Sequence, residues 1–125
     1  MENKHGVLYN FAMDIKKLDE WTIKINKRFK KEFSKQGRAL SLVSEVGELA
    51  DAMLEYDGGK EKGTRSAKSK EEIADALADI LYNMFVLSWH YKIDLGSEYE
   101  KMLQGLEKRF KSGEFVVGEG EATDL

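Results

Sequence analysis

The chain has 125 residues, enough for one domain, and its 42% hydrophobic and 34% charged residues are typical of a globular protein. Its net charge of -3 is too close to neutral to indicate binding to nucleic acid, and the absence of Cys excludes disulfides and thiolate metal sites. No apolar run approaches the ~20 residues of a membrane span, and no signal-peptide pattern is seen, so we expect a cytoplasmic protein without a membrane partner.

The first two predicted helices cover residues 10–33 and 37–56. Apolar residues recur three and four positions apart in both, which places one apolar stripe on each helix. In the first helix the stripe is Phe11, Ile15, Leu18, Thr22, Ile25, Phe29 and Phe33, and in the second it is Ala39, Leu42, Val43, Val46, Leu49, Ala50 and Met53. The Asp57-Gly58-Gly59 turn ends the second helix, and a polar loop with Lys60, Lys62, Arg65 and Lys68 follows.

The third helix is predicted over residues 69–92, where Ser69 and Glu72 form a capping box. It carries two apolar stripes, one with Ile73, Leu77, Ile80, Leu81, Met84, Leu87 and Ser88, the other with Ala74, Ala78, Tyr82, Phe85 and Trp89. A small domain has few ways to cover so much of one helix, so we expect the second stripe to pack against another subunit.

The fourth helix is predicted over residues 97–111, with a capping box of Ser97 and Glu100 and a single apolar face. Residues 112–125 form an acidic, glycine-rich tail that we expect to be flexible, although Phe115, Val116 and Val117 have the chemistry to dock on the protein. The predicted fold is therefore all-α, a four-helix bundle over residues 1–111 that is completed by oligomerisation.

Acidic side chains occupy helix faces that otherwise look buried. Glu45 and Glu48 share one face of the second helix, and three carboxylates with one amide fill the gap between the stripes of the third. These four are Glu72, Asp75, Asp79 and Asn83. Antiparallel packing would bring the two sets together, and because unpaired buried carboxylates cost several kcal/mol each, a cation is expected there. Oxygen ligands favour Mg²⁺, with Mn²⁺ as an alternative, and Mg²⁺ commonly joins carboxylates to substrate phosphates.

Plainer roles remain open for these residues. Glu72 has the capping box, Asp75 suits a solvated position, and the two glutamates of the second helix suit ion pairs between subunits. Asn83 is either a substrate contact or a core amide bonded to backbone, and Arg38 either steers phosphates or lies in solvent. Asp79 is the hardest to explain without a ligand, since apolar residues surround it.

Two segments resemble the MazG-like all-α nucleoside triphosphate pyrophosphohydrolases. The segment LSLVSEVGELADAM, Leu40–Met53, is similar to the E-x-x-E helix of that family, and Glu45 and Glu48 match its two glutamates. The segment EEIADALADILYNMFVLSWHYKIDL, Glu71–Leu95, is similar to the second metal-binding helix and the turn after it. The resemblance covers roughly residues 10–110.

The second carboxylate pair of the family, E-x-x-D, matches in two ways. Alignment on the apolar run makes Asp79 the family aspartate and puts Ala76 where a glutamate is expected. The pattern alone is met one turn earlier by Glu72 and Asp75. We favour the first alignment because it matches more residues, and we expect Asp75 or Glu72 to supply the missing ligand.

The resemblance implies an Mg²⁺-dependent enzyme that cleaves nucleoside triphosphates between the α- and β-phosphates, cleans nucleotide pools and forms a homodimer or homotetramer. Glu45 and Glu48 are then catalytic, the metal ligands are Glu45, Glu48, Glu72, Asp75 and Asp79, and the substrate contacts are Arg38 and Asn83. The alternatives are a phosphoribosyl-ATP pyrophosphatase, a nucleotide-binding or regulatory module impaired by Ala76, and a helical interaction protein with ion-paired carboxylates.

Overall fold

The computed structural model describes residues 14–31, 34–58 and 67–115. Within these ranges the chain forms four α-helices and no strand, which confirms the all-α fold. The helices are α1, Ile15–Asn26; α2, Lys35–Tyr56; α3, Ala67–His90; and α4, Leu95–Lys111. None of the helices in these ranges is long and apolar enough to cross a membrane.

The helix starts differ from two sequence predictions. The side chains of Asp14, Ser34 and Asp94 each accept a hydrogen bond from the backbone N–H three residues later, at 2.9, 3.0 and 3.1 Å, and so cap α1, α2 and α4. Ser97 is therefore inside α4 and does not begin it. Ser69 likewise lies inside α3, which is already helical at Ala67, so both predicted capping boxes are wrong.

The first helix ends earlier than predicted. After Asn26 the chain turns, and the N–H of Phe29 donates to the carbonyl oxygen of Asn26 at 3.2 Å in place of the bond four residues back. Phe29 consequently leaves the apolar stripe and is 62% exposed. The predicted stripe members Phe11 and Phe33 lie outside the described residues. By contrast, α2 ends at Tyr56 as predicted.

The end of α3 is built around a left-handed residue. Lys92 has φ 58°, its N–H donates to the carbonyl oxygen of Trp89 at 3.1 Å, and that of Ile93 donates to Ser88 at 2.9 Å. These two hydrogen bonds define a Schellman motif, in which the left-handed position, here Lys92, favours glycine. It stops the helix at His90, two residues before the predicted end.

The chain divides into two compact units between Ile93 and Asp94. In the first unit α3 packs along α2 and also contacts α1. Among the residues that the structure describes, five apolar ones are buried, all in these three helices: Ile23, Ala52, Ala76, Phe85 and Val86. The small size of this core explains why the three buried polar residues, Asn26, Asn83 and Ser88, matter to the packing.

The second unit contains α4 and the residues after it. The rings of Phe110 and Phe115 lie 4.9 Å apart, and the Arg109 guanidinium lies 4.3 Å from the centre of the Phe115 ring. Arg109 also forms an ion pair with Glu114 at 2.8 Å. Phe115 thus docks on α4, as its chemistry suggested, while residues 116–125 of the predicted tail lie outside the described residues.

The apolar surfaces of α2 and α3 are used differently from the prediction. Val43 and Val46, assigned to the inward stripe of α2, are 67% and 48% exposed, whereas Glu45 lies on a half-buried face with Leu42 and Leu49. Conversely, Phe85 from the α3 stripe assigned to another subunit is buried within this chain. The prediction that the whole of that stripe serves a partner is therefore wrong.

Candidate functional site

Three of the predicted carboxylates come together between α2 and α3. Glu45 is half-buried, and burial raises the pKa of its carboxyl above the ordinary value, 4.5, with the negative charges of Asp79 and Glu48 raising the pKa further. One of its oxygens, Oε1, is buried and accepts no hydrogen bond. The packing of α2 against α3 therefore produces the juxtaposition predicted for Glu45, Glu48 and Asp79.

This cluster has a chemical requirement that its own groups do not meet. Ionised carboxylates only accept hydrogen bonds, so the neighbours of Glu45 satisfy its buried oxygen only if a proton is shared among them. A divalent cation would meet the same requirement with hard oxygen ligands. These carboxylate oxygens are the type of ligand that Mg²⁺ prefers. Within the described residues, however, no group of three or more carboxylate, imidazole or thiol side chains is arranged to hold a metal ion.

The other two predicted metal ligands lie apart from Glu45. Glu72 and Asp75 are exposed residues of α3, and the carboxylate charges that act on Glu45 are those of Asp79 and Glu48. Glu72 precedes Asp79 by seven residues, which is about 10 Å along a helix. Their assignment as ligands stays a prediction.

Ala76 occupies a position that matters for the charge of the cluster. It is three residues before Asp79, hence on the same face of α3, and is 5% exposed. Arg38 contacts Asn83 and Glu45 lies near Asp79, so α2 and α3 run antiparallel in a register that sets Ala76 near Glu48. A buried methyl group thus stands where the family pattern has a fourth carboxylate.

A network of polar side chains extends the site from Asp79. Asn83 donates from Nδ2 to the backbone oxygen of Asp79 at 3.0 Å, and its Oδ1 accepts from Nη1 of Arg38 at 3.1 Å. Nη2 of Arg38 and the hydroxyl of Tyr82 both donate to Oδ1 of Asn26, at 3.3 and 2.9 Å. The structure therefore brings together the two predicted substrate contacts, Arg38 and Asn83, and adds two residues.

Three residues of this network, Asn26, Arg38 and Tyr82, line a cleft of about 350 Å³. Its lining includes two cations, Lys31 and Arg38, two aromatic rings, Phe29 and Tyr82, and the amide of Asn26. Cationic groups bind phosphates, and aromatic faces stack on flat rings, so the lining suits an anion that carries a heterocycle. Lys60, Lys62 and Arg65 of the predicted polar loop lie outside the described residues.

Sequence reasoning missed Asn26 and assigned Tyr82 to an apolar stripe. The available indication was the position of Asn26, three residues after the buried Ile23 and four after Thr22, on the inward side of α1. An amide at an inward position needs hydrogen-bond partners, and here those partners come from two other helices.

Comparison with known proteins gives one family and one relative. Residues 16–109 match the family model described as phosphoribosyl-ATP pyrophosphohydrolase, a span that includes the carboxylate cluster and the cleft. The chain is 31% identical over 74 residues to the uncharacterized protein YvdC of Bacillus subtilis (strain 168). This match covers 56% of the present chain and 70% of YvdC. No solved structure matches the chain.

Proposed function

We propose that this chain, which belongs to the phosphoribosyl-ATP pyrophosphohydrolase family of the MazG-like all-α superfamily, cleaves the α–β phosphoanhydride of a nucleoside triphosphate. Family membership confirms the resemblance found in the sequence and gives the class of reaction, hydrolysis of a nucleotide with release of pyrophosphate. The proposed products are a nucleoside monophosphate and pyrophosphate. The proposed role is removal of unwanted nucleotides from the cytoplasmic pool.

The observation that carries the proposal is the state of Glu45, a carboxylate with an unbonded buried oxygen beside two other carboxylates. Glu45, Glu48 and Asp79 would hold Mg²⁺ there, and Mn²⁺ would suit the same oxygen ligands. When bound, Mg²⁺ would screen the phosphate charge and favour attack by water on the phosphoanhydride. The carboxylates themselves would bind and orient the cation, and they are suited to accept a proton from the attacking water.

The cleft beside Arg38 supplies the rest of the substrate site. Arg38 and Glu45 are seven residues apart on α2, about 10 Å along the helix. A nucleotide whose phosphates lie at the carboxylate cluster therefore extends toward the cleft. We assign Arg38 and Lys31 to phosphate oxygens and the rings of Phe29 and Tyr82 to the nucleobase.

The test is release of pyrophosphate from a panel of ribo- and deoxyribonucleoside triphosphates, with Mg²⁺ and with EDTA. We expect Mg²⁺-dependent release that is abolished in Asp79→Asn without loss of melting temperature. Asp51→Asn, which removes an exposed carboxylate from the same helix as Glu45, is the matched control and retains activity. Nucleotide binding without any release would contradict the proposal and favour a binding module in which Ala76 has removed turnover.

Phosphoribosyl-ATP is the second candidate substrate, because the matching family is described by its hydrolysis. It carries the same α–β phosphoanhydride, so the carboxylate cluster serves both substrates equally. The two are separated by comparing kcat/KM for phosphoribosyl-ATP with that for each nucleoside triphosphate of the panel. A preference of more than a hundredfold for phosphoribosyl-ATP, about 2.7 kcal/mol, would replace the first candidate with the second.

We also propose that the enzyme is a homodimer or homotetramer. The outer face of α2 exposes large apolar side chains at successive turns: Leu40, Val43, Val46, Met53 and Leu54. A contiguous apolar surface is unusual on a monomer and marks an interaction site. Sedimentation equilibrium gives the subunit number, and a monomer at micromolar concentration would contradict this part of the proposal.

A further inference from the structure

Asn26 is the last residue of α1 and is 1% exposed, although an amide is costly to bury without partners. Its Oδ1 accepts hydrogen bonds from the Tyr82 hydroxyl at 2.9 Å and from Nη2 of Arg38 at 3.3 Å. One amide oxygen therefore ties together side chains from α1, α2 and α3. It does so at the wall of the cleft that Phe29 and Lys31 also line.

The Arg38 guanidinium is held from a second direction by Asn83. Oδ1 of Asn83 accepts from Nη1 at 3.1 Å, and its Nδ2 is occupied by the backbone oxygen of Asp79 at 3.0 Å. The orientation of this buried amide is therefore fixed, since turning it over would place N–H groups against the guanidinium. Two hydrogen bonds to two different nitrogens fix the plane of the guanidinium, which also lies 5.7 Å from the centre of the Tyr82 ring.

We propose that Asn26 is a positioning residue, which holds the Arg38 guanidinium in a fixed orientation toward the phosphate chain of the bound nucleotide. This inference rests on the proposed function of the site. A cation that is already oriented loses less conformational freedom when it binds a phosphate, so its contribution to affinity is larger. The side chain at position 26 is then a determinant of affinity although it is not itself in contact with the phosphates.

The chemistry of an amide at position 26 is specific. An amide oxygen orients the guanidinium but has no formal charge. Asn26→Asp preserves the shape and both acceptor contacts and adds a carboxylate against the guanidinium, so the charge that Arg38 presents to a phosphate is partly neutralised. This added charge weakens anion binding whatever the role of Asn26, so positioning is tested by Asn26→Ala, which removes the acceptor for Arg38. If Asn26 only completes the packing, Asn26→Ala lowers the melting temperature and leaves nucleotide affinity unchanged.

The experiment compares the full-length wild type with Asn26→Ala, Asn26→Asp and Arg38→Lys. Calorimetry measures the dissociation constant of Mg²⁺-pyrophosphate, a probe that does not depend on the nucleobase, and steady-state kinetics give kcat and KM on the best nucleotide of the panel. Melting temperatures report the fold. Ser88→Ala, which removes another buried hydroxyl bonded within α3, is the matched control.

We expect Asn26→Ala, Asn26→Asp and Arg38→Lys to weaken pyrophosphate binding and to raise KM by roughly tenfold, the equivalent of one charge-assisted hydrogen bond, with a smaller change in kcat. Ser88→Ala stays within about threefold of the wild type. If Asn26→Ala does not fold, Asn26→Ser decides, because the serine hydroxyl is on a shorter side chain and loses the contact with Arg38.

The possible failures are distinguishable. An active enzyme whose pyrophosphate affinity and KM are unchanged in Asn26→Ala overturns the role of Asn26 and leaves the proposed function standing. A loss of melting temperature in Asn26→Ala at unchanged affinity also overturns it, since the role is then structural only. A folded wild type that neither binds pyrophosphate nor cleaves any nucleotide overturns this inference together with the proposed function.

Discussion

Replacing Glu45 by Gln is expected to stabilise the metal-free protein while it abolishes the release of pyrophosphate from nucleotides. In the folded chain the Glu45 carboxylate has a buried oxygen without a donor and lies near the negative charges of Asp79 and Glu48. A glutamine has nearly the same shape, has no charge and brings an N–H₂ group that donates to a neighbouring carboxylate. The substitution therefore removes repulsion and adds a hydrogen bond in the absence of a cation.

The size of the effect follows from the surroundings. A buried polar atom without a partner costs about 1–3 kcal/mol, and Asp79 and Glu48 are exposed enough for water to screen their charges. We therefore expect the low end of that range, about 1 kcal/mol. In a domain of this size that corresponds to a rise in melting temperature of roughly 4 °C.

The raised pKa of Glu45 determines at which pH the glutamine variant is more stable than the wild type. The pKa of Glu45 is raised in the folded protein above its ordinary value, 4.5, so the folded state holds the proton more tightly than the unfolded state. The associated stability is fully present below pH 4.5 and is lost as the pH rises through the pKa of the folded state. The advantage of the glutamine variant is therefore greatest at neutral pH and disappears on acidification.

The assay is thermal unfolding of wild type and Glu45→Gln at several pH values, each with EDTA and with Mg²⁺. In EDTA at pH 7.5 the variant melts higher, whereas Mg²⁺ raises the melting temperature of the wild type more than that of the variant. Asp51→Asn, an exposed carboxylate of α2, controls for the general loss of negative charge. A variant less stable than wild type in EDTA at neutral pH would refute the reasoning from charge crowding.

Three further predictions concern other parts of the first unit. Lys92→Gly, at φ 58°, is expected to raise the free energy of unfolding by about 0.5–1 kcal/mol in chemical denaturation, because glycine adopts this conformation without steric cost; a destabilised variant would show that the Lys92 side chain contributes more than the strain. Val43→Asp, on the exposed face of α2, is expected to lower the subunit number in sedimentation while helical circular dichroism is retained, and an unchanged subunit number would place the interface elsewhere. Ala76→Glu is expected to lower the melting temperature in EDTA, since it buries a fourth carboxylate, and to regain stability with Mg²⁺; equal melting temperatures with and without Mg²⁺ would show that position 76 does not face the cation.

The parts of the fold that were predictable are those decided by local patterns. The existence of four helices follows from apolar periodicity, and the end of α2 follows from the Asp57-Gly58 turn. The true caps Ser34 and Asp94 are also preferred capping residues, but other candidates two or three positions away, such as Ser97, compete with them in the sequence. Which of two nearby capping residues is used depends on how the helix packs, and a local sequence pattern does not determine that packing.

The facing of α2 was not predictable from hydrophobicity. Periodicity puts Val43 and Val46 inside and Glu45 at the border, yet in the chain Glu45 is half-buried against α3 and the two valines are exposed. The hydrophobic pattern of a helix reflects every apolar contact that the helix makes, including contacts with another subunit. The pattern does not show which apolar residues contact the same chain and which contact another subunit. The carboxylates are predicted by a different route, from the cost of burying charges on such a helix. Glu45 is half-buried, as that argument requires, whereas Asp79 is exposed, so the prediction that apolar residues surround Asp79 is wrong.

The alanine at position 76 and the hydrogen-bond network at Asn26 both affect how strongly the site attracts a cation and the phosphates of a nucleotide. In the alignment that makes Asp79 the family aspartate, the methyl group at position 76 leaves the cluster around Glu45 with one carboxylate fewer than the family pattern, so we expect a weaker attraction for a divalent cation. A substrate triphosphate would bring its own oxygens to that cation in place of the missing protein ligand. We therefore expect affinity for the phosphates to matter more than affinity for the cation alone, and we propose that Arg38, held by Asn26 and Asn83, supplies it together with Lys31. In this chain we therefore expect Mg²⁺ and nucleotide to bind with positive coupling, each weakly when alone.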